Sequence, residues 1–245
     1  MKESQVIIER TRRVNETHQH IDLAVEPWLA SVKPGQSLLV RRENGWNPYL
    51  REQWFPVAAG KGQITVELPA SQGYEPGQVL SVMGLIGQPY RFRRTLRNVL
   101  LIAYDTDPTP LLMMIGALLA NRVSVTLVLL GATASYTTGH LQPEVEVITG
   151  DSDLSWSNRV TTIGWADQVF VAVPQADELG YFKRVFELFS IMRADIPQGY
   201  LFGVFRPLLP CGISACSACM LRLRSGSALV CAQGPAFDLT QVQLG

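Results

Sequence analysis

Four cysteines crowd the last 35 residues of this 245-residue chain, at positions 211, 216, 219 and 231, and there are no others. The spacing is C-x4-C-x2-C-x11-C, so Cys211, Cys216 and Cys219 share one stretch of nine residues. The residues between them include Gly212, Ser214, Ala215, Ser217 and Ala218, all small. Such a loop wraps closely around a compact centre and brings backbone N–H groups near sulfur, where hydrogen bonds stabilise negative charge. Three thiols spaced this way, with a fourth more distant, follow the plant-type [2Fe–2S] pattern.

The fourth cysteine is placed by a hairpin. Met220 to Arg224 alternates apolar and charged residues, Ser225-Gly226 supplies a turn, and Ser227 to Val230 returns. Two strands of nearly equal length, each rising about 3.3 Å per residue, bring the chain back to its start. Cys231 is therefore expected beside Cys211, Cys216 and Cys219. Zinc also accepts four thiolates, but its structural sites usually pair two short C-x2–4-C knuckles. Disulfides are disfavoured in the reducing compartment that sparse, clustered cysteines suggest.

The body of the chain is long enough for one large domain or two smaller ones. It has 21 Lys+Arg and 21 Asp+Glu, 17% charged and 47% hydrophobic residues. That balance excludes a disordered chain and argues against a nucleic-acid partner, because no net positive field draws in phosphates. The N-terminus offers no apolar signal core. The greasiest stretch, Leu111 to Gly131, is broken by Asn121-Arg122, so membrane insertion is not expected and a cytoplasmic protein is.

Residues 1 to 94 read as a β-barrel or sandwich. Short runs such as Gln5–Glu9, Ile21–Val25, Ser37–Arg41, Gln63–Leu68 and Val79–Met83 are separated by turns at Lys33-Pro34-Gly35-Gln36, Gly60-Lys61-Gly62 and Glu75-Pro76-Gly77-Gln78. Residues 95 to 205 read as α/β. Strands are expected at Asn98–Ala103, Val123–Leu130, Glu144–Ile148 and Gln168–Val173, with helices from Pro110 to Asn121 and from Asp177 to Arg193. The second helix sets Leu179, Phe182, Val185, Phe186 and Phe189 on one face. Residues 206 to 245 form the cysteine-bearing piece.

Cys211 to Cys219, together with Val230-Cys231-Ala-Gln-Gly234-Pro235-Ala-Phe237-Asp238, resembles the cluster segment of the electron-transfer subunit of bacterial dihydroorotate dehydrogenase, in the ferredoxin–NAD(P) reductase superfamily. The resemblance implies a flavin-binding β-barrel, a nucleotide-binding α/β domain and a C-terminal [2Fe–2S] domain held by Cys211, Cys216, Cys219 and Cys231. Lys33-Pro-Gly-Gln36 and Val82-Met-Gly-Leu-Ile-Gly87 fall where the barrel has similar turns.

The departures bear on function. The family's flavin motif is Arg-x-aromatic-Ser/Thr, whereas this chain reads Leu50-Arg51-Glu52-Gln53-Trp54-Phe55-Pro56-Val57. Arg51 is the residue carried over toward FAD, but neither register keeps the hydroxyl, which leaves FAD doubtful. Trp46, Tyr49, Trp54 and Phe55 are expected to fill a core or a subunit contact. The family's glycine-rich phosphate loop appears as Ala103-Tyr104-Asp105-Thr106-Asp107-Pro108-Thr109-Pro110, without glycine and with two aspartates. Cβ atoms obstruct close approach there and Pro108 and Pro110 remove two donors, so NAD(P) is not expected. Asp105 and Asp107 are read as caps for the following helix. His18, His20 and His140 lie in polar segments, and His18-Gln19-His20 is read as a solvated loop in preference to a metal site.

The expected function is an accessory subunit that relays single electrons through its cluster to or from a partner flavoenzyme like dihydroorotate dehydrogenase, as a hetero-oligomer. No catalytic residue is expected; the cysteines are expected as metal ligands only. One alternative is a complete FAD/[2Fe–2S] subunit that oxidises NAD(P)H. Another is a non-catalytic assembly subunit whose metal only staples the terminal segment.

Overall fold

The structure, a computed structural model, describes residues 2–42 and 50–245. Trp46 and Tyr49 lie outside the described residues. Antiparallel strands β1 (Lys2–Arg13), β2 (His18–Ala24), β3 (Ser37–Arg42), β4 (Glu52–Trp54), β5 (Pro56–Gly60), β6 (Gln63–Pro69) and β7 (Val79–Ile86) form one sheet in the order β4-β3-β7-β1-β2-β6-β5. A four-residue helix, α1 (Pro27–Ala30), follows β2. The edge strands β4 and β5 are separated in sequence by Phe55 alone, so the sheet curls into a nearly closed barrel and little free edge is left.

Period-two alternation fills this barrel. Strand β1 buries Val6 and Ile8 while Ile7 between them is 49% exposed. Ile21, Leu23, Leu38, Val40, Ile64, Val66, Leu80 and Val82 complete the interior with Trp54. Each such side chain contributes about 1.5–3 kcal/mol on burial. Trp54 stacks edge-on against Tyr74 with ring centroids 5.3 Å apart, and Phe55 is also buried, as expected of core aromatics.

The second sheet holds parallel strands β8 (Asn98–Tyr104), β9 (Ser124–Leu130), β10 (Glu146–Gly150), β11 (Gln168–Ala172) and β12 (Leu201–Val204). Strand β10 starts two residues later than the sequence pattern placed it. Helix α2 (Thr109–Ala120) buries Leu111, Met114, Ile115 and Leu118 against Val99, Leu101, Leu127 and Leu129. It also packs on β5, and its Met113 reaches the barrel core. Helix α3 (Arg159–Trp165) and helix α4 (Glu178–Met192) cover the other face. Phe182, Val185 and Phe189 are buried as the helical period predicts, but Leu179, in the first turn of α4, is 44% exposed. Asp177 caps α4 by accepting from the Gly180 N–H at 3.1 Å.

After β12 the chain leaves the sheet to form the cysteine loop, the hairpin β13 (Met220–Leu223) and β14 (Gly226–Leu229), and the short helix α5 (Val230–Gln233). It then returns as β15 (Ala236–Asp238), antiparallel to β12, with Phe202 opposite Asp238 and Val204 opposite Ala236. The cysteine segment is thus tied at both ends to the same edge of the central sheet. No helix among the described residues is long and apolar enough to cross a membrane.

Candidate metal centre

The loop from Cys211 to Cys219 turns by left-handed backbone at Gly212 (φ 63°), Ser214 (φ 63°) and Ser217 (φ 57°). These turns aim the N–H groups of Ile213, Cys216 and Ala215 at the Cys211 sulfur. Those hydrogen bonds, with the Cys216 thiol beside it, pull the Cys211 pKa down to about 6. The loop is therefore built to hold sulfur as thiolate, the form that binds metal.

The hairpin delivers the fourth cysteine. Met220 pairs with Leu229 and Leu223 with Gly226. Val230 N–H donates to the Cys219 carbonyl at 3.0 Å, and Cys231 N–H lies 3.5 Å from the Cys219 sulfur. Ser214 Oγ sits 3.6 Å from the Cys231 sulfur, which brings the loop and the hairpin end together. Cys219 and Cys231 are buried, Cys211 is intermediate and Cys216 is exposed. Burial raises the Cys219 pKa.

The sulfurs fall into two pairs, Cys211 with Cys216 and Cys219 with Cys231. No three of them lie within 4.8 Å of one another among the described residues. A [2Fe–2S] group would be held by Cys211, Cys216, Cys219 and Cys231 and would supply one-electron transfer. The donor set and its N–H lining fit such a group.

Arg51 is committed elsewhere. Its guanidinium donates to the Ser81 carbonyl at 2.8 Å and to Glu3 Oε1 at 2.5 Å, inside the barrel's own hydrogen-bond network. Gln53, the alternative register's counterpart, donates to Ser37 Oγ at 2.8 Å. The Gln53 side-chain oxygen is buried with no hydrogen-bond partner.

The loop after β8 is filled by its own side chains. Asp105 sits in left-handed backbone (φ 52°). Its carboxylate accepts from Ala132 N–H at 2.8 Å and from the Tyr181 hydroxyl at 3.2 Å. Tyr104 is fully buried, donates to the Ser152 carbonyl at 2.6 Å and meets Tyr181 ring to ring at 4.8 Å. Parallel sheets of this kind receive nucleotides at the carboxyl ends of the strands, the end of β8 at which Tyr104, Asp105 and Tyr181 make these contacts. Helix capping by the aspartates is corrected: the residue before α2 is Pro108 and no side chain caps it. Asp107 instead faces His18 at 3.3 Å. Arg206 reaches the loop from below, donating to Thr106 Oγ1 at 2.9 Å and to the Val173 carbonyl at 2.5 Å.

The histidines are also corrected. His18 and His20 lie on β2, pointing away from the barrel interior, and the α/β half covers them. His20, Glu67 of β6, Tyr136 and His140 converge there. The strand expected at Ile21–Val25 left His18 and His20 outside it, whereas β2 begins at His18. Nor did the sequence show that a second domain closes over them.

Residues 207–243 match the family described as the iron–sulfur cluster binding domain of dihydroorotate dehydrogenase B. No curated protein matches the chain in sequence. Among solved structures, a chain of the NADH-dependent reduced ferredoxin–NADP oxidoreductase, studied for flavin-based electron bifurcation, is similar with a TM-score of 0.73 and 16% identity, covering 98% of this chain and 90% of that one. The FAD/NAD-binding domain of nitric oxide dioxygenase from Vibrio cholerae is similar at a TM-score of 0.61 and 14% identity, over 83% of this chain and 98% of that one. The cytochrome b5 reductase domain of Ulva prolifera nitrate reductase gives 0.56 and 10%, over 82% and 96%. Residues 207–243 are thus similar to the iron–sulfur cluster binding domain of dihydroorotate dehydrogenase B, and the body of the chain has the two-sheet fold of these reductase domains.

Proposed function

We propose that the chain relays single electrons between a [2Fe–2S] cluster on Cys211, Cys216, Cys219 and Cys231 and a partner flavoenzyme like dihydroorotate dehydrogenase. A cluster held by four thiolates takes up and gives back one electron and leaves no position open to a substrate. The observation that carries the reading is the pairing of four sulfurs by one N–H-lined loop and one hairpin. Cys219 and Cys231 keep water from one side of the centre, while exposed Cys216 turns the other side to solvent. Exposed Leu208, Ile213 and Met220 surround that rim and supply apolar area for a partner. The barrel and the α/β half act as the frame that presents this rim. A relay of this kind needs a donor and an acceptor outside the chain, hence a hetero-oligomer.

The test is anaerobic purification followed by iron and sulfide analysis, and then electron transfer to a dihydroorotate dehydrogenase catalytic subunit. Iron and acid-labile sulfide in equal amounts, with cluster-dependent electron flow, support the relay. A colourless chain with stoichiometric zinc overturns it.

The complete-reductase reading is favoured by the fold, since one structural neighbour is an FAD/NAD-binding domain. Its sign is FAD released on acid denaturation together with NADH-dependent dye reduction. The internal hydrogen bonds of Tyr104, Asp105 and Arg51 favour the relay instead.

A further inference from the structure

Between the barrel and the α/β half, two imidazoles converge on one carboxylate. His20 Nε2 lies 2.9 Å and His140 Nε2 3.1 Å from Glu67 Oε2. The three ligand atoms all fall within 4.8 Å of one another. The side chain of Glu67 is completely shielded from solvent, and those of His20 and His140 are 12% and 13% exposed. The elements that bring them together are distant in sequence: His20 and Glu67 are cross-strand partners on β2 and β6, while His140 arrives on the loop after β9.

We propose that His20, Glu67 and His140 form a binding site for a divalent first-row transition-metal cation. Two imidazoles and one carboxylate on one side of an ion form a set that suits zinc and ferrous iron and leaves further positions open. The open side is present. A cavity of about 490 Å3, lined by Arg12, His20, Thr65, Met113 and His140 among others, adjoins the two histidines, with Glu67 buried behind them. The carboxylate is oriented from behind, where the Tyr136 hydroxyl donates to Glu67 Oε1 at 2.6 Å, the oxygen that does not face the histidines. Supporting hydrogen bonds of this sort accompany metal-ligating carboxylates.

The ring nitrogens permit it. Nδ1 of His140 is buried with no hydrogen-bond partner, while its Nε2 lies 3.1 Å from both Glu67 Oε2 and the Tyr136 hydroxyl, so the metal-free ring carries its proton on Nε2 and a metal taking Nε2 displaces that proton to the unpartnered Nδ1. Nδ1 of His20 receives a long 3.3 Å contact from the exposed Arg12 guanidinium. Ligation through Nε2 moves the His20 proton to Nδ1 and releases Arg12 into solvent. Arg12 therefore opposes the metal weakly, while Glu67 and Tyr136 favour it. The site shares no residue with the cysteine centre and does not depend on the reading of that centre.

The experiment uses the full chain with its cluster intact, zinc sulfate as the probe, and metal counting after gel filtration. One zinc ion per chain is expected beyond the cluster iron. His20→Ala and His140→Ala each weaken zinc binding by well over tenfold, and Tyr136→Phe weakens it by about tenfold. Arg12→Ala leaves binding unchanged or tighter. Crystals soaked in zinc show anomalous scattering about 2.1 Å from His20 Nε2 and His140 Nε2. Circular dichroism of each zinc-free variant separates loss of a ligand from loss of fold, and the anomalous map of the unaltered chain needs no variant at all. The proposal is overturned if no zinc is retained, if zinc enters only as iron leaves, or if it binds the folded His20→Ala and His140→Ala chains as tightly as the parent.

Discussion

The Gly87 N–H donates to the carbonyl of Cys231 at 3.0 Å, so the last turn of the barrel grips the residue that closes the cysteine centre. Gln88 extends the grip, its N–H donating to the Gly234 carbonyl at 2.6 Å and its side chain to the Ala232 carbonyl at 2.8 Å. Gly87 has φ +80°, and a Cβ there would lie 2.8 Å from the Gly234 carbonyl oxygen. Gly87→Ala meets both a disfavoured backbone region and a backbone clash. We expect it to cost about 1–3 kcal/mol and to shed cluster faster on exposure to air. Urea midpoints and the decay of visible absorption check both effects.

The two sulfur pairs differ in exposure, and their substitutions should differ too. Cys219→Ser alters a buried position at the root of the hairpin, which the Val230 N–H to Cys219 carbonyl bond anchors. It is expected to remove the cluster and lower stability. Cys216→Ser, on the exposed rim, is expected to impair the cluster while leaving the urea midpoint of the apo chain within about 0.5 kcal/mol of the parent. Iron analysis and apo-protein unfolding distinguish the two.

Glu67 governs acid stability. Burial opposes its charge, but hydrogen bonds from His140, His20 and Tyr136 outweigh burial and hold its pKa at about 2. A carboxyl group with a depressed folded pKa stabilises the fold above its unfolded value, near 4.3, and loses that contribution as pH falls toward 2. In metal-free buffer the contribution is on the order of 3 kcal/mol. Glu67→Gln should flatten the dependence of the urea midpoint on pH between about 5 and 2. His18 works in the opposite direction. Burial opposes its charge, yet Asp107 raises its pKa, so its stabilisation is present at acid pH and fades as pH rises through that raised value.

Arg51→Ala tests the residue carried over toward FAD. Its guanidinium serves the Ser81 carbonyl and Glu3, so truncation should cost about 1–2 kcal/mol of stability by stranding those groups. Any flavin content of the purified chain should be unchanged. A chain that carries FAD and loses it on this substitution contradicts the assignment.

Much of this architecture was legible in the sequence because its signals are local. The alternation around Val6 and Ile8, the helical period of Phe182, Val185 and Phe189, and the cysteine hairpin each depend on residues close in the chain. The misreadings came where distant segments meet. Asp105 resembles a helix cap, but its partner Tyr181 lies 76 residues away. His20 resembles a surface residue, but Glu67 and His140 reach it across β6 and the domain junction. Leu179 fits the apolar face of α4, yet in the first turn of that helix it is 44% exposed. Sequence period fixes which way a side chain points, and tertiary packing decides what it meets.

Electron paramagnetic resonance of the anaerobically purified chain, recorded before and after dithionite, bears most directly on the electron-relay assignment. The account predicts silence in the oxidised state. Reduction should give one signal from a single unpaired electron per chain, matched by two irons and two acid-labile sulfides and abolished by Cys219→Ser. A chain that stays silent after reduction, with zinc bound to the four cysteines, would contradict it.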